Sequence, residues 1–270
     1  MLEKKTVQVK YGTMSYFVAK NELRSPTLVY IHGLGGLPED WLVKHYLSFE
    51  LREYSWIVPL LMGYPGSDSP QDPKAYIMRQ YASDVLEVLK KESLSDLIVV
   101  GHSMGGPIAV HLLEQISEMK DKPTVRVLVY LEGNLDFGDC FGSSKVISEP
   151  LDVFTTQVIN NPERFFDKPS EGLRMALQTG SLSTYALWHS SVDLVSESTK
   201  GYILSRIQSL EEVSYVFLFG GRNKGRYSSE KFVIGKRLPT HYYPNAGHDP
   251  MTDNPEEFWP FFKELMTSFV

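Results

Sequence analysis

The sequence holds a single cysteine, Cys140, in 270 residues, which excludes an internal disulfide and any cysteine-rich metal site. It has no apolar run near the roughly 18 residues that a membrane helix needs, so no membrane partner is expected. Positive charge is not in excess either. The 27 Lys and Arg stand against 33 Asp and Glu, a formal net charge of −6 with no basic stripe, which argues against nucleic acid as a partner. Neither G-x-x-x-x-G-K nor a strand-linked G-x-G-x-x-G occurs, so nucleotide binding has no support. No His/Asp/Glu spacing suits a metal. No cofactor and no metal ion are therefore expected. The opening Met1-Leu-Glu-Lys-Lys-Thr leads into no apolar stretch, so no secretory signal is expected, and the expected location is cytoplasmic. Nothing in the sequence sets an oligomeric state.

What is present suits one large folded core. Hydrophobic residues make up 42% of the chain and charged residues 22%, too apolar a balance for disorder. A chain of this length can bury roughly 70–75% of its unfolded surface. Two alternating segments, 5–10 and 14–19, flank Tyr11-Gly12-Thr13 and predict a hairpin. Apolar runs at 27–31, 55–60, 97–100, 125–131, 214–219 and 238–243 predict strands, with Pro59 arguing that the second of these ends just before it. Helical spacing of Ile77, Tyr81, Val85, Val88 and Leu89 predicts a helix over 75–91, and Ile108, Leu112, Leu113 and Ile116 predict another. Pro107 is tolerable in the first turn of that helix, where N–H groups lack intrahelical partners. The last helix opens with Asn254 as N-cap, Pro255 at its first position and Glu257 two later. Strands alternating with helices imply an α/β fold, a mostly parallel, doubly wound sheet with helices on both faces. From 137 to 205 only helical patterns occur, with Leu182, Tyr185, Ala186, His189 and Val192 on one face. The expected division is a core of 1–136 and 206–270 and a helical cap, or lid, of 137–205 over the sheet edge where α/β ligands bind.

Gly101-His102-Ser103-Met104-Gly105 fits G-x-S-x-G between a predicted strand and a predicted helix. Small residues two positions either side of the serine let the strand and helix backbones approach, which marks Ser103 as a candidate nucleophile. With His32-Gly33-Leu34-Gly35-Gly36 and Ala246-Gly247-His248, this segment resembles the α/β-hydrolase family, and the resemblance covers nearly the whole chain. It implies the triad order Ser, acid, His, with His248 as general base, and a cap after the sixth strand. It also implies an oxyanion hole made by the backbone N–H groups of Leu34 and Met104. Family haloalkane dehalogenases and epoxide hydrolases carry Asp in place of the serine, so Ser103 argues against both chemistries.

The acid departs from the commoner family arrangement. The loop after the seventh strand, Gly220-Gly-Arg-Asn-Lys-Gly225, has no carboxylate, and Asn223 stands near the expected spot. Some family members take the acid from the end of the sixth strand instead. Here that strand runs directly into Glu132, which becomes the candidate, with Asp136 and Asp139 as alternatives and Asp249 expected to point elsewhere. Among the other histidines, His102 is expected to pack beside the turn and His32 to support the oxyanion loop. His111 lies along the following helix, His45 and His241 look structural or exposed, and His189 is read as a bystander in the cap.

Phe137, Phe141, Phe154, Tyr185 and Trp188 cluster in or beside the cap and favour an apolar acyl or alcohol group; Phe137, Phe154, Tyr185 and Trp188 are the candidate substrate contacts. Cys140 reads as a small buried hydrophobe. The expected function is a cofactor-independent serine hydrolase acting on a small-molecule partner, a carboxylesterase for small, fairly apolar esters. The alternatives are a ligand-binding or receptor module on the same fold, and a related acyltransferase, C–C hydrolase or perhydrolase.

Overall fold

In the computed structural model, residues 2–21, 26–42 and 54–269 are described; His45 lies outside them. Strands β1 (Leu2–Val9), β2 (Gly12–Ala19), β3 (Thr27–Ile31), β4 (Ser55–Leu60), β5 (Asp96–His102), β6 (Thr124–Leu131), β7 (Ser214–Gly220) and β8 (Thr240–Tyr243) form one sheet in the order β1-β2-β4-β3-β5-β6-β7-β8. β1 and β2 form the antiparallel hairpin, β2 also pairs antiparallel with β4, and β3 through β8 are mutually parallel.

The central strands are apolar throughout because both faces are covered. Leu97 and Val99 of β5, Leu128 and Tyr130 of β6 and Phe217 of β7 enter one core, under helices α1 (Met78–Lys91) and α2 (Gly105–Ser117). Ile98 and Val100, Val127 and Val129, and Val216 and Leu218 enter the other, with Trp41, Trp56 and the last helix. Successive side chains on a strand point to opposite faces, so each strand serves both cores.

Between β6 and β7 the chain forms helices α3 (Ser143–Ile147), α4 (Leu151–Asn160), α5 (Glu171–Thr179), α6 (Thr184–Lys200) and α7 (Ile203–Gln208), with short 3₁₀ turns. These helices share the α1/α2 core rather than closing a separate one. Asp193 of α6 accepts the Met78 N–H at 2.7 Å, and Tyr81 of α1 and Ser190 of α6 lie 2.9 Å apart through their hydroxyls. Helices α8 (Ser228–Gly235), α9 (Pro250–Asp253) and α10 (Pro255–Thr267) complete the chain.

Several local expectations are corrected. The helix expected over 75–91 begins at Met78, because Ile77 is extended and Pro73–Tyr76 forms a separate 3₁₀ turn. β4 continues through Pro59, which pairs with Tyr16; the register to β3 reaches only Val29↔Ile57, so no parallel ladder bond to that neighbour is required of the proline. Asn254 precedes α10 but its side chain makes no cap bond, and Glu257 accepts instead from Asn245 Nδ2 at 2.8 Å. On α6 the buried stripe is Ala186, Leu187, Ser190, Ser191 and Leu194, rotated from the expected one, and Val192 is exposed. No helix among the described residues is long and apolar enough to cross a membrane.

Candidate active site

In parallel α/β sheets, loops leaving the C-terminal strand ends converge on one edge, and Ser103, Glu132 and His248 follow such ends at β5, β6 and β8. Ser103 N still donates to Leu131 O of β6 at 3.0 Å, extending the ladder by one residue. Ser103 then adopts φ 54°, in the left-handed region that L-residues normally avoid. The chain is thereby thrown out of the sheet and into α2. The turn is possible only with a glycine at 105, since a Cβ there would collide with the Ile31 carbonyl oxygen at the end of β3.

The adjacent strand repeats the device. Glu132 N donates to Leu218 O of β7 at 2.9 Å, and Glu132 then takes φ 47°. Such conformations cost of order 1–3 kcal/mol each and persist where surrounding structure over-determines them. Two of them at neighbouring strand ends bring a hydroxyl and a carboxylate to the same edge.

His248 follows β8 in a loop held from several sides. Tyr243 hydroxyl donates to Gly247 O, Gly247 N donates to Asp253 Oδ2 at 2.7 Å, and Arg222 N donates to Ala246 O at 3.1 Å. His248 Nδ1 lies 3.3 Å from Glu132 Oε2. The other carboxylate oxygen accepts from Gly220 N at 2.5 Å and Asn223 Nδ2 at 3.2 Å. The Glu132 side chain is wholly buried. Burial alone would lower the pKa of His248, but the hydrogen bond to Glu132 and the charges of Asp249, Glu132 and Asp139 outweigh it and hold the value above the ordinary one. No hydrogen bond joins Ser103 Oγ to His248 among the described residues; such contacts are often long before substrate is bound.

The alternative acids are engaged elsewhere. Asp136 caps the 3₁₀ turn at Phe137–Asp139 and accepts from Ser228 Oγ. Asp139 accepts from Leu135 N at 2.7 Å and Ser229 Oγ at 2.6 Å, and burial pushes its carboxyl up to about 6. Asp249 is exposed, 3.8 Å from His102 Nε2.

His102 has a role that its position in the motif did not reveal: its Nε2 donates to the His248 carbonyl at 2.8 Å, pinning the histidine loop to the end of β5. Burial, with the nearby His248 charge, keeps its pKa below the usual value, against the opposing pull of Asp249. His32, held neutral near 4 by burial, donates from Nδ1 to Gly33 O and accepts at Nε2 from Leu61 N. Its ring also meets Tyr64 edge-on at 4.4 Å, and the Tyr64 hydroxyl accepts from Gly35 N. Residues 33–36 are thus clamped against the nucleophile. A Cβ on Gly33 would lie 2.8 Å from Ser103 Cβ. Among the described residues, neither Leu34 N–H nor Met104 N–H has a protein acceptor. Gly36 and Tyr64 also line a cavity of about 240 Å³, together with Asp40, Met175 and Ala176; neither Ser103 nor His248 lines it.

The remaining candidates scatter. His111 bonds Glu197 and Arg206, tying α2 to α6 and α7. His241 is exposed, and His189 packs among Tyr185 and Trp188. Trp188 Nε1 donates to Glu149 O, and Tyr185 lies against Tyr76. Phe137 is exposed, whereas Phe154 is fully buried edge-on to Phe165, leaving no accessible face for a substrate. Phe141 is the aromatic brought to the site, edge-on to His248 at 5.1 Å. Cys140 is buried. Among the described residues no group of three or more His, Cys, Asp or Glu could hold a metal ion.

Comparison with known proteins agrees with this architecture. Epoxide hydrolase 3 of Xenopus tropicalis is 29% identical over 99 residues, 36% of this chain and 26% of that protein, so the match spans about a quarter of the relative's length. The solved structure of an esterase from Exiguobacterium antarcticum superposes with a TM-score of 0.71 at 19% identity, covering 97% of this chain and 98% of that one. A variant of the N-acyl homoserine lactonase AidH superposes with a TM-score of 0.73 at 18% identity, over 100% and 98%. At these identities the structures speak for the fold alone. Residues 28–260, from β3 into α10, match a single family description, and the chain belongs to the alpha/beta hydrolase family.

Proposed function

We infer that the protein is a cofactor-independent serine hydrolase, a carboxylesterase for small, fairly apolar esters, with Ser103, His248 and Glu132 as its triad. The carrying observation is the buried Glu132 carboxylate, 3.3 Å from His248 Nδ1, at the strand edge where Ser103 occupies a left-handed turn. Glu132 accepts Nδ1–H and so presents His248 Nε2 as the base. Ser103 Oγ attacks the ester carbonyl while Nε2 takes its proton. The oxyanion is received by Leu34 and Met104 N–H, whose lack of protein acceptors supports this role. The imidazolium returns the proton to the departing alkoxide, and water, activated by the same base, releases the acid.

The likeness to epoxide hydrolases does not extend this reading to epoxides. A carboxylate that opens an epoxide forms an ester, which water can cleave; a serine would form an ether with no carbonyl to attack. Residues 137–205 act in this reading as a cap that selects substrates, with Phe141 beside the base.

The test is labelling by a fluorophosphonate probe. Wild type should react and Ser103→Ala should not. Equal labelling of both, or none of the wild type, would refute the proposal. Tight ligand binding without product across an ester panel would favour a receptor module instead, and thioesters and diketones in the same panel separate the related reactions.

A further inference from the structure

Asn223 stands where the family resemblance would place a carboxylate, and its amide nitrogen is engaged twice. It is buried, with Nδ2 at 3.2 Å from Glu132 Oε1 and 2.9 Å from the Tyr227 hydroxyl. An amide nitrogen carries two hydrogens, so it can serve both acceptors at once. Gly220 N–H donates to the same Oε1, which leaves Oε2 for His248. Having accepted from Asn223, the Tyr227 hydroxyl still has its own hydrogen to give. Burial, then the charge of the nearby Glu132, hold that hydroxyl far above the ordinary phenol range. The Tyr227 ring also stacks on Phe141, centroids 5.9 Å apart and planes 14° from parallel, and Phe141 meets His248.

We propose that Asn223, backed by Tyr227, is a positioning residue that anchors one oxygen of Glu132 so that the other faces His248 Nδ1, and that restrains the carboxylate's pull on the imidazolium. The inference rests on the triad reading. Each donor aimed at a carboxylate spreads its charge and weakens its hold on a neighbouring cation. Without the Asn223 amide, His248 feels more of the Glu132 charge, and the imidazolium persists to higher pH. The carboxylate is also freer to rotate, so fewer molecules have the base correctly presented. The other titratable groups facing the pair are His102 from β5, Asp139 from the loop after β6, Tyr243 from β8, and Asp249 beside His248. None of them changes in the variants below.

The experiment measures the fluorophosphonate labelling rate of Ser103 against pH in wild type, Asn223→Ala and Tyr227→Phe, with thermal melts as a folding control. In Asn223→Ala the acid limb should move up by about half to one pH unit and the plateau rate should fall several-fold. Tyr227→Phe should move the limb the same way by less. If Asn223→Ala does not fold, Tyr227→Phe alone decides. Folded variants whose acid limb stays in place or moves down overturn the proposal, since a merely structural role would not shift it. A wild type that is never labelled is a different failure, that of the triad itself.

Discussion

Replacing Glu132 by Gln tests the relay at its least accessible point. The substitution is nearly isosteric and the side chain is wholly buried, so the fold has little to repack. Two donors, Gly220 N–H and Asn223 Nδ2, converge on Oε1. The glutamine carbonyl oxygen would take that place, because its amide NH₂ would meet two donors there. The NH₂ is then turned toward His248 Nδ1. Nδ1 becomes an acceptor, the ring proton moves to Nε2, and the base can no longer take a proton from Ser103. A wrong tautomer of this kind is worth about 10⁴ in kcat, or about 5 kcal/mol of transition-state stabilisation. Steady-state hydrolysis of short p-nitrophenyl esters, together with the labelling rate of Ser103, reads the loss directly. Residual activity should also show its acid limb at lower pH than wild type, because the main support for the raised His248 pKa has gone. Turnover within tenfold of wild type, with collapse in Asp136→Asn or Asp139→Asn, would refute the argument and move the acid.

Gly105→Ala should lower unfolding free energy by about 3 kcal/mol or more in urea melts, because its Cβ has no space beside Ile31 O. Phe154→Ala should cost about 3–5 kcal/mol of stability and leave ester chain-length preference unchanged, whereas Phe141→Ala should raise KM several-fold with an unchanged melting temperature. A change of selectivity in the first, or of melting temperature alone in the second, would count against this division. Asp84, buried on α1 with Oδ2 unpartnered, has its carboxyl pushed up to about 7 by burial. Its folded pKa exceeds the unfolded value near 3.9, so its contribution to stability is complete below about pH 4 and is lost as pH rises through 7. Asp84→Asn should therefore flatten that decline and stabilise the protein at pH 8 by roughly 1–3 kcal/mol; urea melts at pH 5 and pH 8 check it, and a persisting slope would assign the effect to another group.

Much of the architecture was legible because it depends on near neighbours in the chain. Apolar runs such as Leu97–Val100 and Val125–Leu131 announce strands covered on both faces, and the elbow carries its own steric requirement in Gly101 and Gly105. Expectations failed where a distant partner overrode local preference. Ile77 breaks the helix expected over 75–91, Glu257 bonds Asn245, and α6 turns Ser190 inward, where the Tyr81 hydroxyl lies opposite it. The aromatic beside His248 is Phe141; Phe154, equally suggestive in sequence, is core.

The sequence by itself determined the order of strands and helices, the turn that exposes Ser103, and the set of carboxylates at the end of β6. Which of those carboxylates meets His248 was decided only by tertiary structure. The ladder bond from Glu132 N to Leu218 and the left-handed turn that follows put its side chain toward the β7 and β8 loops, 91 residues from Asn223 and 116 from His248 in sequence. Asp136 and Asp139, a few residues on, are drawn instead to α8 by Ser228 and Ser229. Local pattern follows from nearest-neighbour sterics and burial, whereas a carboxylate's partner follows from which loops the folded sheet brings to one edge.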